Sequence, residues 1–210
     1  LDEFYLSSSL DESPKEAIEE RVEFIVSAIF GQEPVSPSAP DDILRGVQRN
    51  STIKLYQWLL LHILQAERAR LGSPEGLVSL LRSVSFHRCL LACACEIVAF
   101  SFNESQLGFP AILTSLHIAA YDLCKVLETV VRHAVSMPPS IMSHLQWVED
   151  RCVESLAWRL GEPLVLLLQD STNLQWLHQR IVGNESVTAT SQQSSLYVFY
   201  RKLISLASDR

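Results

Sequence analysis

Residues 86–102 read FHRCLLACACEIVAFSF, and their side chains leave almost no polar face. A helix that is hydrophobic all round belongs at the buried centre of a domain. The stretch therefore predicts a core helix that other helices must surround. With 210 residues, 48% of them hydrophobic, the chain can fill a substantial core as one large domain or a domain plus a fragment. Only 7 residues are glycine, too few for a turn-rich β protein or for glycine-lined nucleotide loops. The expected fold class is all-α.

Helical periodicity recurs on both sides of this centre. Residues 1–13 are polar and acidic and are expected to be a frayed, flexible segment reaching to residue 14. Ser13-Pro14 then reads as an N-cap followed by proline at the first helical position, with Ile18, Val22, Ile25, Val26 and Ile29 behind it. Gln32–Pro40 is a Pro/Ser loop. The spacing of Tyr56, Leu59, Leu60, Ile63 and Leu64 predicts a helix over 51–71, ended by Gly72-Ser73-Pro74, and a short helix follows at about 75–82. Shorter helices are expected at 110–116 and 119–133. Ile141, Leu145, Val148, Cys152 and Leu156 predict a long one ending near Gly161. Residues 171–193, rich in Ser, Thr, Asn and Gln, are expected to be a linker, and a last helix runs over 194–207. No strand alternation and no repeat of fixed period is present.

Charge and cysteine usage narrow the function. The formal net charge is −7, and only Lys15, Lys54, Lys125 and Lys202 are lysines. Without a basic run there is no stripe to track phosphates, so direct nucleic-acid binding is not expected. Cys89, Cys93, Cys95, Cys124 and Cys152 all fall inside apolar helical patterns and are expected to be reduced, buried thiols with no disulfide. No apolar run is expected to be long enough to span a bilayer, Leu59–Leu64 being far too short, and no membrane partner is expected. Three Asn-x-Ser/Thr matches, at Asn50, Asn103 and Asn184, mean little without a secretory context.

His87, Cys89, Cys93 and Cys95 crowd together, yet zinc ligands usually come as close pairs on turns. Cys89 and Cys93 are one helical turn apart and suit packing better than coordination. No metal or cofactor is expected. A Cys/His nucleophile pair lacks any supporting signature, and Glu149 and Asp150, as helix neighbours, point apart. The chain is therefore expected not to be an enzyme. Lys125 stands out in a chain that otherwise avoids lysine: with Glu128 and Arg132 it falls at i, i+3 and i+7 on one face. That face is either a solvated surface with a weak Lys–Glu pair or a polar clamp for an acidic peptide; exposed pairs being weak, the residues alone favour the first.

Three stretches resemble the A box of retinoblastoma-type pocket proteins. FHRCLLACACEIV at 86–98 is similar to that family's FHxxLLACxxEhV. Phe109-Pro110-Ala111-Ile112-Leu113, followed by Tyr121-Asp122-Leu123-Cys124-Lys125-Val126-Leu127-Glu128, resembles its FPxhh and aromatic-x-x-x-KVIE segments. His144-Leu145, Glu149 and Glu154-Ser155-Leu156-Ala157-Trp158 resemble HLxxhEx…ESLAW. The likeness covers about residues 15–170. Ser194–Leu203, SSLYVFYRKL, is similar to SLxxFYKKV, the opening of the family's B box; the remainder of that box is expected on another chain or absent.

The resemblance implies a cyclin-like helical domain and a nuclear corepressor of cell-cycle genes, a phosphoprotein under cyclin-dependent control. It implies two partners: the B box of the same protein and the acidic, hydrophobic activation segment of E-two-F/DP-type transcription factors, held at the groove between the boxes. By motif position Arg70, Lys125, Glu128, Arg132 and Glu149 match groove residues and Phe86 lies at its edge, while Ser143 and Gln146 depart from the family pattern. On this implication the clamp reading of Lys125 displaces the solvated one. In an acidic chain, local cations would then orient an acidic peptide while apolar burial holds it. The alternative is a cyclin-like or general-transcription-factor-like module that binds a kinase or promoter complex.

Overall fold

The computed structural model describes residues 14–31, 40–71, 74–104, 107–133, 137–154, 156–183 and 189–208, and among them there is no strand. The helices are α1 (Pro14–Phe30), α2 (Pro40–Leu71), α3 (Pro74–Arg82), α4 (Val84–Ser101), α5 (Ala111–Ser115), α6 (Ala120–His133), α7 (Pro139–Glu154), α8 (Pro163–Gln169), α9 (Ser171–Ile181) and α10 (Ser191–Ser208); a 3₁₀ turn covers Leu156–Trp158. The fold is all-α and cyclin-like.

α4 is the apolar stretch that opened the sequence reading, and it is the centre. Cys89, Leu90, Leu91, Ala94 and their neighbours are essentially inaccessible, and α4 packs along α2 on one side and α6 on the other. Its length and composition would let it cross a bilayer, which the sequence reading did not allow for any run; here 72% of that helix is buried inside the domain. Ser83 starts it: its Oγ accepts from the Phe86 amide at 3.3 Å, satisfying one of the orphan donors of the first turn. Two polar residues in α4 are buried with complete partners. His87 donates from Nε2 to the Leu81 carbonyl at 2.8 Å, so Nδ1 is the acceptor for the Tyr56 hydroxyl at 2.7 Å. Glu96 accepts from the Phe109 amide at 2.5 Å and lies 2.6 Å from His144 Nε2, which ties the loop before α5 and the helix α7 to the core.

Three boundaries differ from the sequence reading. α2 begins at Pro40, not Ser51. Its first turns hide from pattern analysis because Gln48, Arg49 and Thr52 are buried while Ile43, Leu44 and Val47 are exposed. α7 stops at Glu154 instead of reaching Gly161. The chain tightens into the 3₁₀ turn, where Trp158 donates to the Val153 carbonyl at 2.7 Å, and Gly161 takes φ +90° after it. The expected linker contains α9, capped by Asp170, whose side chain accepts from the Thr172 amide at 2.8 Å. Trp176 and Leu177 suffice to bury it. The Ser13 cap, Gly72-Ser73, most of Gln32–Pro40 and residues 1–13 lie outside the described residues.

α10 starts on a reciprocal cap. Gln193 N donates to Thr190 Oγ1 at 3.2 Å, and Thr190 N donates to Gln193 Oε1 at 3.0 Å. The helix packs on α7 and α9 and places Leu196 and Phe199 in the core.

Candidate peptide-binding groove

Residues of α6 spaced three and four apart form one wall of a groove of about 580 Å³. Lys125, Glu128 and Arg132 lie along it, as their i, i+3, i+7 spacing requires. Arg70, in the last turn of α2, closes one side, and Val198, Phe199 and Lys202 of α10 form the other. The floor is apolar: Phe199 is buried and meets the buried Tyr121 ring edge to face, with centroids 5.4 Å apart.

The polar groups are held locally. Lys125 does not pair with Glu128, as its spacing had suggested. Its Nζ is 2.6 Å from Asp122 Oδ1 and 4.8 Å from the Tyr121 ring centroid, and 43% of the side chain remains exposed. Glu128 instead takes Arg132 at 2.5 Å and Lys202 at 3.4 Å. Arg70 pairs with Glu67 at 2.6 Å, and Arg70 and Arg132 are both more than half exposed. Glu149, in α7, is buried; it bonds Lys202 and accepts from Gln146 Nε2 at 3.2 Å. It lines a neighbouring hollow of about 520 Å³ that shares Glu128, Arg132 and Lys202 with the groove.

The thiol and the phenol that line the groove both belong to buried residues. Cys124 lines it, but its thiol is pushed well above its usual range, chiefly by a bond to Cys152 and by burial. Burial likewise pushes Tyr121 up to about 12. Among the described residues no group of three or more His, Cys, Asp or Glu could hold a metal ion. What the groove offers is an apolar floor rimmed by four cations, Arg70, Lys125, Arg132 and Lys202, and two carboxylates, Glu67 and Glu128.

The sequence model of the retinoblastoma-associated protein A domain matches residues 2–168. The chain belongs to the retinoblastoma-type pocket protein family. Relatives include a retinoblastoma-related protein of Oxybasis rubra, 36% identical over an alignment of 166 positions that covers 74% of this chain and 16% of that protein. Retinoblastoma-related protein 1 of Pisum sativum is 34% identical over 167 residues, 75% of this chain and 16% of the relative. In Triticum aestivum the corresponding protein is 37% identical over 127 residues, 60% of this chain and 13% of its own length. The chain thus spans about a sixth of the length of the first relatives it matches. Pocket proteins are regulatory scaffolds of the cell cycle, not enzymes.

Of the residues expected at the pocket-protein groove, Arg70, Lys125, Glu128 and Arg132 come together, and Glu149 lies in the adjoining hollow. Phe86 does not reach the groove. It stands in the first turn of the core helix α4, 8% exposed, against the His87 ring at 5.3 Å. The sequence reading gave no site role to Lys202, which bridges Glu128 and Glu149, nor to Glu67, which holds Arg70. The rarity of lysine could have flagged Lys202 as it did Lys125; that Lys202 faces α6 depends on how α10 docks.

Proposed function

We propose that this chain is the A-box part of a nuclear transcriptional corepressor, and that the groove between α6 and α10 binds the acidic, hydrophobic activation segment of an E-two-F/DP-type transcription factor. In this reading residues 15–170 are the A box, and residues 194–210 open the B box whose remainder completes the groove. The observation that carries it is the cluster of Arg70, Lys125 and Arg132 around the apolar floor made by Val198 and Phe199. Cations at the rim steer and orient an acidic segment, and the buried apolar side chains supply affinity.

Lys125 is the residue to test. A charge-assisted bond to a peptide carboxylate contributes about 1.5–3 kcal/mol. Lys125 must share itself with Asp122, an exposed pair worth about 0–1 kcal/mol. The net loss in Lys125→Ala is therefore about 1–2 kcal/mol, a roughly five- to thirtyfold weaker Kd for an activation-segment peptide. Lys125→Glu should lose more, because a like charge then faces the peptide. Unchanged affinity in both variants, with unfolding temperatures intact, would return Lys125 to a solvated helix face.

A further inference from the structure

A second hollow, of about 510 Å³, lies beyond Lys125, between the start of α6, α8 and the α8–α9 corner. It shares Tyr121, Lys125 and Ser195 with the groove, so Lys125 stands on the ridge between the two. Their chemistry differs. The groove carries Arg70, Lys125, Arg132 and Lys202 against Glu67 and Glu128. The second hollow carries Asp122 and Asp170 against Lys125 alone, and Lys125 is already paired with Asp122. Its wall is apolar: Pro163, Leu166 and Leu167, with Leu166 57% exposed.

We propose that the second hollow takes the continuation of the peptide bound in the groove, and that this continuation carries an apolar side chain followed by a lysine or arginine. The inference rests on the peptide-groove reading above. Charge complementarity sets the order: acidic residues over the cationic groove, a cation beside Asp170 and Asp122. The apolar residue fits the Leu166–Leu167 wall, which otherwise leaves leucine in water. Reach is not limiting. Lys125 and Tyr121 are four residues apart on α6, about 6 Å along its axis, so two extended residues carry a chain over the ridge. The site therefore reads a bipolar sequence, and the second hollow sets specificity among acidic partners.

The test uses the assembled two-box pocket, this chain with the rest of its B box, and a fluorescein-labelled peptide built from Asp, Glu, Leu and Phe, alone or extended at either end by Gly-Leu-Arg. One of the two extensions should tighten Kd by about fivefold relative to the unextended peptide, while Gly-Leu-Glu at the same end should not. In Asp170→Asn, where the amide oxygen can still cap α9, the gain should vanish, the ratio of extended to unextended Kd rising to about one. Leu166→Ser, at an exposed position that tolerates change, should remove the gain as well by deleting the apolar wall, and it serves if D170N unfolds. A gain of less than about twofold at both ends, or a gain that survives both variants, overturns the inference while leaving the groove reading in place. An unextended peptide that fails to bind the two-box pocket removes the groove reading, and the inference with it.

Discussion

Replacing Lys202 by methionine tests how the last helix is fastened. Lys202 Nζ bonds Glu149 and lies 3.4 Å from Glu128 Oε2; the side chains of Lys202, Glu149 and Glu128 are 27%, 7% and 29% exposed. Methionine keeps the apolar stem and deletes the cation. Glu149 would then be a nearly buried carboxylate supported by Gln146 and facing a second carboxylate. Breaking a fully buried pair costs about 3–5 kcal/mol, and an exposed pair is worth about 0–1 kcal/mol. The partial exposure of Lys202 and the help of Gln146 put Lys202→Met between them, at about 1.5–3 kcal/mol. For a chain of this size that is a drop of roughly 3–12 °C in Tm. Glu149→Gln in the Lys202→Met background should recover much of the loss, because the uncompensated charge is gone. The double-mutant cycle should return a coupling of about 1–2 kcal/mol, read from urea titrations of the four proteins. A Tm change under about 1 °C for Lys202→Met, or additive effects within about 0.3 kcal/mol, would refute the reasoning, since Lys202 would then be a solvated residue with no role in holding α10 to α6 and α7.

Further outcomes follow from the core. His87 is held below the usual histidine pKa, chiefly by burial, with the nearby Arg21 adding to the shift and the bond to Leu81 opposing it. Its neutral form is the folded form, so the unfolded chain binds more protons: stability should be level above pH ~6.5 and fall as pH drops below that value toward the folded pKa. Urea midpoints at pH 7.5 and 5.5 measure this, and His87→Gln should flatten the difference; a midpoint that rises on acidification contradicts it. Burial pushes Cys89 and Cys95 up to about 12 and Cys93 well above its usual range, so a thiol reagent should react slowly with the native protein and count five thiols once it is unfolded. A denatured, non-reduced count of three or fewer would mean disulfides. Ser83→Ala removes the cap of α4 and should cost about 1 kcal/mol in the same urea titration; a change below about 0.3 kcal/mol would show that the cap does not hold the core helix.

What the sequence determined by itself is the class of fold and its centre. The 86–102 stretch has no polar face, so only a surround of helices can bury it, and α2 and α6 do so. The row of Lys125, Glu128 and Arg132 was equally legible, because helical geometry alone puts i, i+3 and i+7 on one face. Motif positions also picked out four of the residues that line the groove. Tertiary structure decided the rest. Which partner each charge takes depends on neighbouring helices: Glu128 turns to Arg132 and Lys202, and Lys125 to Asp122 and the Tyr121 ring. Phe86 shares the family motif yet points into the core, since a residue on an all-round apolar helix is buried whichever way it faces. α9 looked like a linker because only two of its buried side chains, Trp176 and Leu177, are apolar, the third being Asn173, and periodicity needs more than two apolar positions to be seen. Helical phase follows from local covalent geometry and can be read along the chain. The groove is made by residues more than fifty positions apart, and it exists only once α10 lies against α6 and α7.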